Sequence, residues 1–219
     1  MLKQKNILDE KARTRTNYEL EIRKKEFLEI CNLLDKLKIR YFLQGGVLLG
    51  AIRHNGFIPW DWDTELGVFA NEVTQIKDLL IKEISVSNFT IKYYSKELLN
   101  FKVDFVGKLP DDVNRYTIIG WNHDKIKKIF WRKTYKIPDH FLINMKKIKL
   151  FDRYHFTHYP PEKYLEYQYG NWKKPLQTSN KYVYMRSEFS GLNYIKDKLT
   201  KILNKFIKFF VKFGKKDES

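Results

Sequence analysis

The stretch FLQGGVLLGAIRHNGFIPWDWDTELGVF, Phe42 to Phe69, decides how the chain is read. It follows the short β-branched and aromatic run IRY, and the pair Gly45-Gly46 stops that strand. GVLLGAIRH then has helical character. A helix that begins at a glycine pair leaves its first amides free to meet an anion. GFIPW is a turn, and DWDTELGVF alternates acid and non-acid as a strand does. Residues two apart in a strand share a face, so Asp61, Asp63 and Glu65 are expected to project together. Three carboxylates so close repel, and either take up a proton or bind a cation. Their hard oxygens suit Mg²⁺ or Mn²⁺. A solvated edge strand is the alternative reading.

Outward from this stretch, the order strand, glycine pair, helix, acidic strand suits phosphoryl transfer. The glycine turn admits phosphate oxygens, and the acids hold a neutralising metal. Asp104 lies between apolar residues in FKVDFV, a further expected strand. If that strand lies beside Asp63, Asp104 completes an acidic metal nest. Arg53 is a candidate phosphate clamp or a surface ion-pair partner. His54 is a candidate phosphate contact or a cap of the HNG turn. Trp60 and Trp62 are candidates to stack on a base. Core burial is the preferred reading for Trp60, and Trp62, opposite the acids, is expected to pack beneath the site.

Upstream, Tyr18 to Lys38 repeats apolar residues at helical spacing: Leu20, Phe27, Ile30, Cys31, Leu34 and Leu37. Downstream, NEVTQIKDLLIKEIS is expected as one amphipathic helix, and NFTIKYYS and NFKVDFVGK as strands. Trp121 to Arg153 gives no clear periodicity. Within it Trp121, His123, Trp131 and Arg132 are candidates for an acceptor pocket. PPEKYLEYQYGNW is expected as a short helix ended by Gly170, with Tyr164, Leu165 and Tyr169 packing it onto the sheet. His155 and His158 have the separation of some metal ligands but no third partner in sequence. Leu192 to Phe213 forms an apolar stripe with Lys196, Lys198, Lys201, Lys205, Lys208 and Lys212 around it, a basic amphipathic helix.

The formal charge of +16, from 42 basic and 26 acidic residues, favours anionic partners. The single Cys31 excludes an internal disulfide and a cysteine zinc cluster. No window has the roughly 18 apolar residues of a membrane span, and the first residues lack a signal peptide's apolar run. A cytoplasmic location is expected. The chain divides into an N-terminal helical segment (1–40), a catalytic domain (41–190) and a basic tail (191–219).

The pattern GGVLLGAIRHNGFIPWDWDTELGVF resembles the signature of the LicD and fukutin family, nearest its fukutin-related branch. PPEKYLEYQYGNWKKP is similar to a later family segment. Gly46 stands where the family usually has Ser or Thr, Trp62 replaces a middle acid, and Glu65 replaces a third Asp. The resemblance implies a nucleotidyltransferase-like α+β fold, a small mixed sheet flanked by helices. It implies transfer of a phospho-alcohol from a CDP-linked donor to a glycan hydroxyl, with CMP leaving. Asp63 and Glu65 would hold the metal, and Asp104 would complete that site or take the hydroxyl proton. Asp61 would play either part, and Gly45, Gly46 and Arg53 would steady the phosphates. A lipid-linked acceptor would place the enzyme on the inner face of a membrane through residues 192–213. Two rivals stand beside this: nucleotidyl transfer with release of pyrophosphate, and a non-enzymatic basic binder of nucleic acid or membrane. The acids and the lack of a nucleic-acid motif oppose the latter, so no nucleic-acid partner is expected.

Overall fold

The computed structural model describes residues 10–95, 97–133 and 135–185. The expected basic helix over 192–213 lies outside them. Helix α1 (Asn17–Lys36) starts on a capping box: the Thr16 side chain accepts from the Glu19 amide, and the Glu19 carboxylate accepts from the Thr16 amide. Its buried stripe is Arg23, Glu26, Phe27, Ile30, Cys31 and Leu34. The apolar members were visible in the sequence, but the two charged ones were not.

Strand β1 (Tyr41–Leu43) leads into α2 (Gly45–His54), as expected. Gly45 takes a φ of 58°, a left-handed conformation that admits glycine at little cost. The helix ends at Asn55, also left-handed, whose amide returns to the Gly50 carbonyl. Strand β2 (Asp63–Phe69) begins two residues later than the alternation suggested. Asp61 sits in the preceding turn, its amide donating to the Ile58 carbonyl at 3.0 Å.

The expected single helix after β2 is broken into α3 (Ala70–Val73), a 3-10 turn (Thr74–Ile76) and α4 (Lys77–Ser85). Two causes are visible. The Thr74 hydroxyl bonds back to the Ala70 carbonyl at 2.7 Å, and Ile76 leaves helical backbone (φ −121°, ψ 14°). Strands β3 (Thr90–Tyr94) and β4 (Lys102–Val106) follow. From Arg115 through the unassigned segment and just past it, the chain forms short elements: β5 (Arg115–Asp124), β6 (Ile129–Arg132), β7 (Tyr135–Pro138), α5 (His140–Ile143), β8 (Lys146–Leu150) and β9 (Arg153–Thr157). Helix α6 (Pro161–Tyr169) ends at Gly170 as expected, and α7 (Lys181–Tyr184) closes the described chain.

The main sheet runs β3-β4-β5-β2-β1-β9-β8, with β6 and β7 branching from β5. Pairs β2/β5 and β1/β9 are parallel and the rest antiparallel, which gives the expected mixed sheet flanked by helices. Thr64, Leu66 and Val68 on β2 are buried on the face that receives α1. Asp63 and Glu65 therefore point to the other face, beside α2. Phe27, Ile30 and Leu34 of α1 share one core with Phe42, Leu43, Val103, Ile118 and Leu165.

Candidate active site

The acids form the floor of a cleft of about 750 Å³ between α2, the start of β2, and the chain after α6. Gly45, Gly46, Arg53, Asp61, Asp63 and Glu65 all line it. Asp63 and Glu65 arrive there by strand alternation. Asp61 arrives through the turn before β2. Each keeps part of its surface open to the cleft, yet enclosure by protein pushes the carboxyls of Asp61 and Asp63 above the usual carboxylate range. For Asp63 the rise is large, because the charges of Asp61 and Glu65 add to the enclosure. Oδ2 of Asp61 is buried with no hydrogen-bond partner.

The glycine pair is the counterpart of these acids. A Cβ on Gly46 would fall inside the carboxylate of Asp61, and one on Gly45 would stand 3.0 Å from Glu65 Oε2. The space that a Ser or Thr at 46 would need is thus filled by Asp61. The acids lie against the first turn of a ten-residue helix, whose dipole favours negative charge there.

Asp104 does not join them. Strand β4 pairs with β5, which pairs with β2, so β5 stands between Asp104 and the acids. The register Glu65–Thr117–Asp104 keeps all three on one face, but two strand spacings separate the ends, about 10 Å. Asp104 is instead paired with Lys102 Nζ at 2.6 Å and accepts from the Thr117 hydroxyl at 2.8 Å. Among the described residues, no three carboxylate, imidazole or thiol groups stand together as a metal site. The four-acid nest therefore does not form. The orphaned Asp61 oxygen, the repelling carboxyls and the hard oxygen donors nonetheless fit a divalent cation. Mg²⁺ is ordinarily held by one or two carboxylates plus substrate phosphates, and Asp61 and Asp63 are the pair that would hold it.

Cations ring the floor. Arg53 lines the cleft while its Nη1 donates to the Trp172 carbonyl at 2.8 Å. Lys102, Arg132 and Lys133 face it from the other side, the Arg132 guanidinium lying against the rings of Trp121 and Tyr135. His54 is not a lining residue. Its ring sits edge-on to Trp60 and accepts from Arg53 Nε at 3.3 Å, and burial and the Arg53 charge lower its pKa. Trp60 packs against the core and donates to the Leu176 carbonyl at 3.2 Å, with one edge in the cleft. Trp62 is not beneath the site. It precedes the strand, so alternation does not govern it, and it lines the cleft between Lys11 and Arg115.

Trp121 is buried, its indole donating to Gln44 Oε1 at 2.8 Å. His123 and Trp131 do not line the cleft. His155 and His158 are core rings, not ligands: His155 contacts the Tyr41 hydroxyl and His158 stacks on Tyr164. Tyr164 and Leu165 pack as expected, whereas Tyr169 lines the cleft with Tyr184. Sequence reasoning missed Lys102, Lys133, Trp172 and Tyr184, which are long-range neighbours of the acids. It also missed Arg23, which left one signal: a charge at a core position of the α1 stripe.

A family model described as LicD/FKTN/FKRP, nucleotidyltransferase domain, matches residues 38–158. The Ribitol 5-phosphate transferase FKRP of Homo sapiens is 42% identical over 50 residues, 23% of this chain and 10% of that protein. The Lipopolysaccharide cholinephosphotransferase LicD of Haemophilus influenzae is 45% identical over 51 residues, 23% of this chain and 19% of that protein. The matches thus span a fifth or less of those relatives' length. Among solved structures, the lincosamide antibiotic adenylyltransferase LnuA with lincomycin bound gives a TM-score of 0.45 at 12% identity, over 70% of this chain and 86% of that one. The family match extends over more than half of the chain and takes in the glycine pair, the acids and β1 to β9, so the chain belongs to the LicD/FKTN/FKRP nucleotidyltransferase-domain family.

Proposed function

We propose that this chain transfers a phospho-alcohol, phosphocholine or a polyol phosphate, from a CDP-activated donor to a glycan hydroxyl and releases CMP. The observation that carries the reading is the contact of Asp61 and Glu65, with Asp63 between them in sequence, against the glycine-started turn of α2 at the floor of a cation-ringed cleft. The two relatives' names support it: one moves ribitol 5-phosphate, the other phosphocholine, and each group is a phosphate already carrying an alcohol.

Asp61 and Asp63 would hold Mg²⁺ or Mn²⁺, with Glu65 beside them, and the ion would neutralise diphosphate charge. The remaining chemistry is positioning. The amides at Gly45 and Gly46 and the guanidinium of Arg53 would meet phosphate oxygens from one side, and Lys102, Arg132 and Lys133 from the other. Trp60 and Trp62 line the same cleft, where their rings would pack beside a pyrimidine. The acceptor oxygen would then bond to the distal phosphorus as the bond to CMP breaks. Its proton would go to a carboxylate oxygen on the floor. Asp104, held by Lys102 and Thr117, is too far to serve unless β4 shifts. A lipid-linked acceptor at the inner face of a membrane is the corresponding partner, with residues 192–213 as the contact.

The test is a donor screen. CDP-choline, CDP-ribitol, CDP-glycerol, CDP-ethanolamine and the nucleoside triphosphates are each incubated with acceptor glycan, with and without Mg²⁺. Metal-dependent release of CMP from one CDP-alcohol is expected. Release of pyrophosphate from a triphosphate, with none of CMP, would move the reading to nucleotidyl transfer.

A further inference from the structure

One buried charge next to the acids has no part in the chemistry above. Arg23 of α1 is 1% exposed and lies before the residues that the family model matches. Its Nε donates to the Thr64 hydroxyl at 2.9 Å and its Nη1 to the main-chain carbonyl of Asp61 at 2.7 Å. Nη2 donates to the main-chain carbonyl of Asp63. The guanidinium lies over the Phe57 ring, 4.3 Å from its centroid. The Thr64 hydroxyl donates onward to Asn114 Oδ1 at 3.3 Å, and Asn114 is itself buried. One planar group thus spans the carbonyls on both sides of Trp62 and the hydroxyl on the far face of β2. The same Nη2 stands 3.8 Å from Asp61 Oδ2, too far for a hydrogen bond but within ion-pair range.

We propose that Arg23 is a positioning residue: it holds the backbone of Asp61 and Asp63 from beneath the sheet, so aims their carboxylates, and thereby sets the affinity of the site for a divalent cation. The proposal rests on the reading of those two acids as the cation's protein ligands. Asp61 needs such a support more than Asp63, because it precedes β2 and has no strand partners to fix it. Productive ligand geometry tolerates only about 0.5 Å and 10–20° of error. Loss of an outer-shell partner typically weakens metal binding about 10–100-fold. The fork matters as well as the charge. A lysine ammonium cannot lie flat on Phe57 and reach two carbonyls and a hydroxyl at once.

The test uses the full chain and Mn²⁺ alone, followed by the electron paramagnetic resonance signal of the free ion. Arg23→Lys keeps the charge, and unfolding monitored by circular dichroism reports whether it folds. The expected result is a folded protein whose Mn²⁺ affinity is at least about tenfold weaker. Thr64→Val leaves Arg23 in place and removes one of its anchors, on the face away from the cleft. It is expected to weaken Mn²⁺ binding several-fold in the same direction. A folded Arg23→Lys that binds Mn²⁺ as tightly as the unaltered chain would overturn the proposal, leaving Arg23 as a tie between α1 and the sheet. If Arg23→Lys does not fold, Thr64→Val decides, and unchanged affinity there overturns it too. An unaltered chain that binds no Mn²⁺ would instead overturn the cation reading on which the proposal rests.

Discussion

Asp63 is placed where its charge is costly. Enclosure and the charges of Asp61 and Glu65 raise its proton affinity well above that of a free carboxyl. A carboxyl whose folded pKa is raised contributes stability at low pH, and that contribution is lost as pH rises through the folded value. At neutral pH without a cation, the floor of the cleft therefore opposes folding. Asp63→Asn keeps the shape and removes one of the repelling charges. Its melting temperature is expected to rise by a few degrees, at about 2–4 °C per kcal/mol for a chain of this size. CMP release with the best donor is expected to fall below about a tenth of the unaltered rate, because a carbonyl oxygen is a poor substitute ligand. A stabilised but inactive variant is what a functional acid gives. Retained activity, or a lower melting temperature, would make Asp63 structural.

At the scale of elements, two glycines, Gly46 on α2 and Gly67 on β2, answer to different constraints. A Cβ on Gly46 would meet the Asp61 carboxylate, whereas one on Gly67 would meet the ring of Phe42, which is fully buried. Gly46→Ala is expected to displace the carboxylate and lower activity several-fold or more, with little change in melting temperature. Gly67→Ala overpacks the core and is expected to cost about 1–3 kcal/mol, with activity per folded molecule nearly unchanged. Thermal melts paired with initial rates separate the two, and equal effects on both measures would refute the division. The glycine pair, the helix after it and the acids of β2 were legible because each is a local pattern. The start of β2 was not, because DWD alternates like a strand while Asp61 is held by a turn and by Arg23. The place of Asp104 was not legible either, since nothing in FKVDFV says that β5 inserts beside β2. Strand order is a non-local property, and it decides which acids meet.

At the scale of the whole molecule, the charge of +16 and the basic stripe over 192–213 carry the expectation of an anionic membrane surface. Each well-placed Lys adds roughly 1 kcal/mol there. Removing residues 191–219 is expected to abolish co-sedimentation with phosphatidylglycerol vesicles while sparing transfer to a soluble acceptor, and unchanged co-sedimentation would refute the anchor. No helix among the described residues is long and apolar enough to cross a membrane. The core itself carries a second pH dependence, opposite in sign to that of the acids. His158 is fully buried, stacked on Tyr164 with ring centroids 3.5 Å apart and edge-on to Phe42. Its ring nitrogens have no hydrogen-bond partner among the described residues, and burial pushes its pKa down to about 3. The unfolded chain takes up this proton near pH 6.5. The stability is therefore fully present above that value and is lost as pH falls toward the folded value. Between pH 7 and pH 5 the loss amounts to about 2 kcal/mol. The raised carboxyls of Asp61 and Asp63 act in the opposite direction as pH falls, so the unaltered chain alone cannot report it. The difference between it and His158→Phe can, because the phenyl ring keeps the stack and does not titrate. Urea unfolding at pH 7 and pH 5 is expected to shift that difference by about 2 kcal/mol in favour of the variant at the lower pH. A difference that stays constant would mean that the imidazole takes up its proton in the folded protein, and that the space between β9 and α6 opens to water.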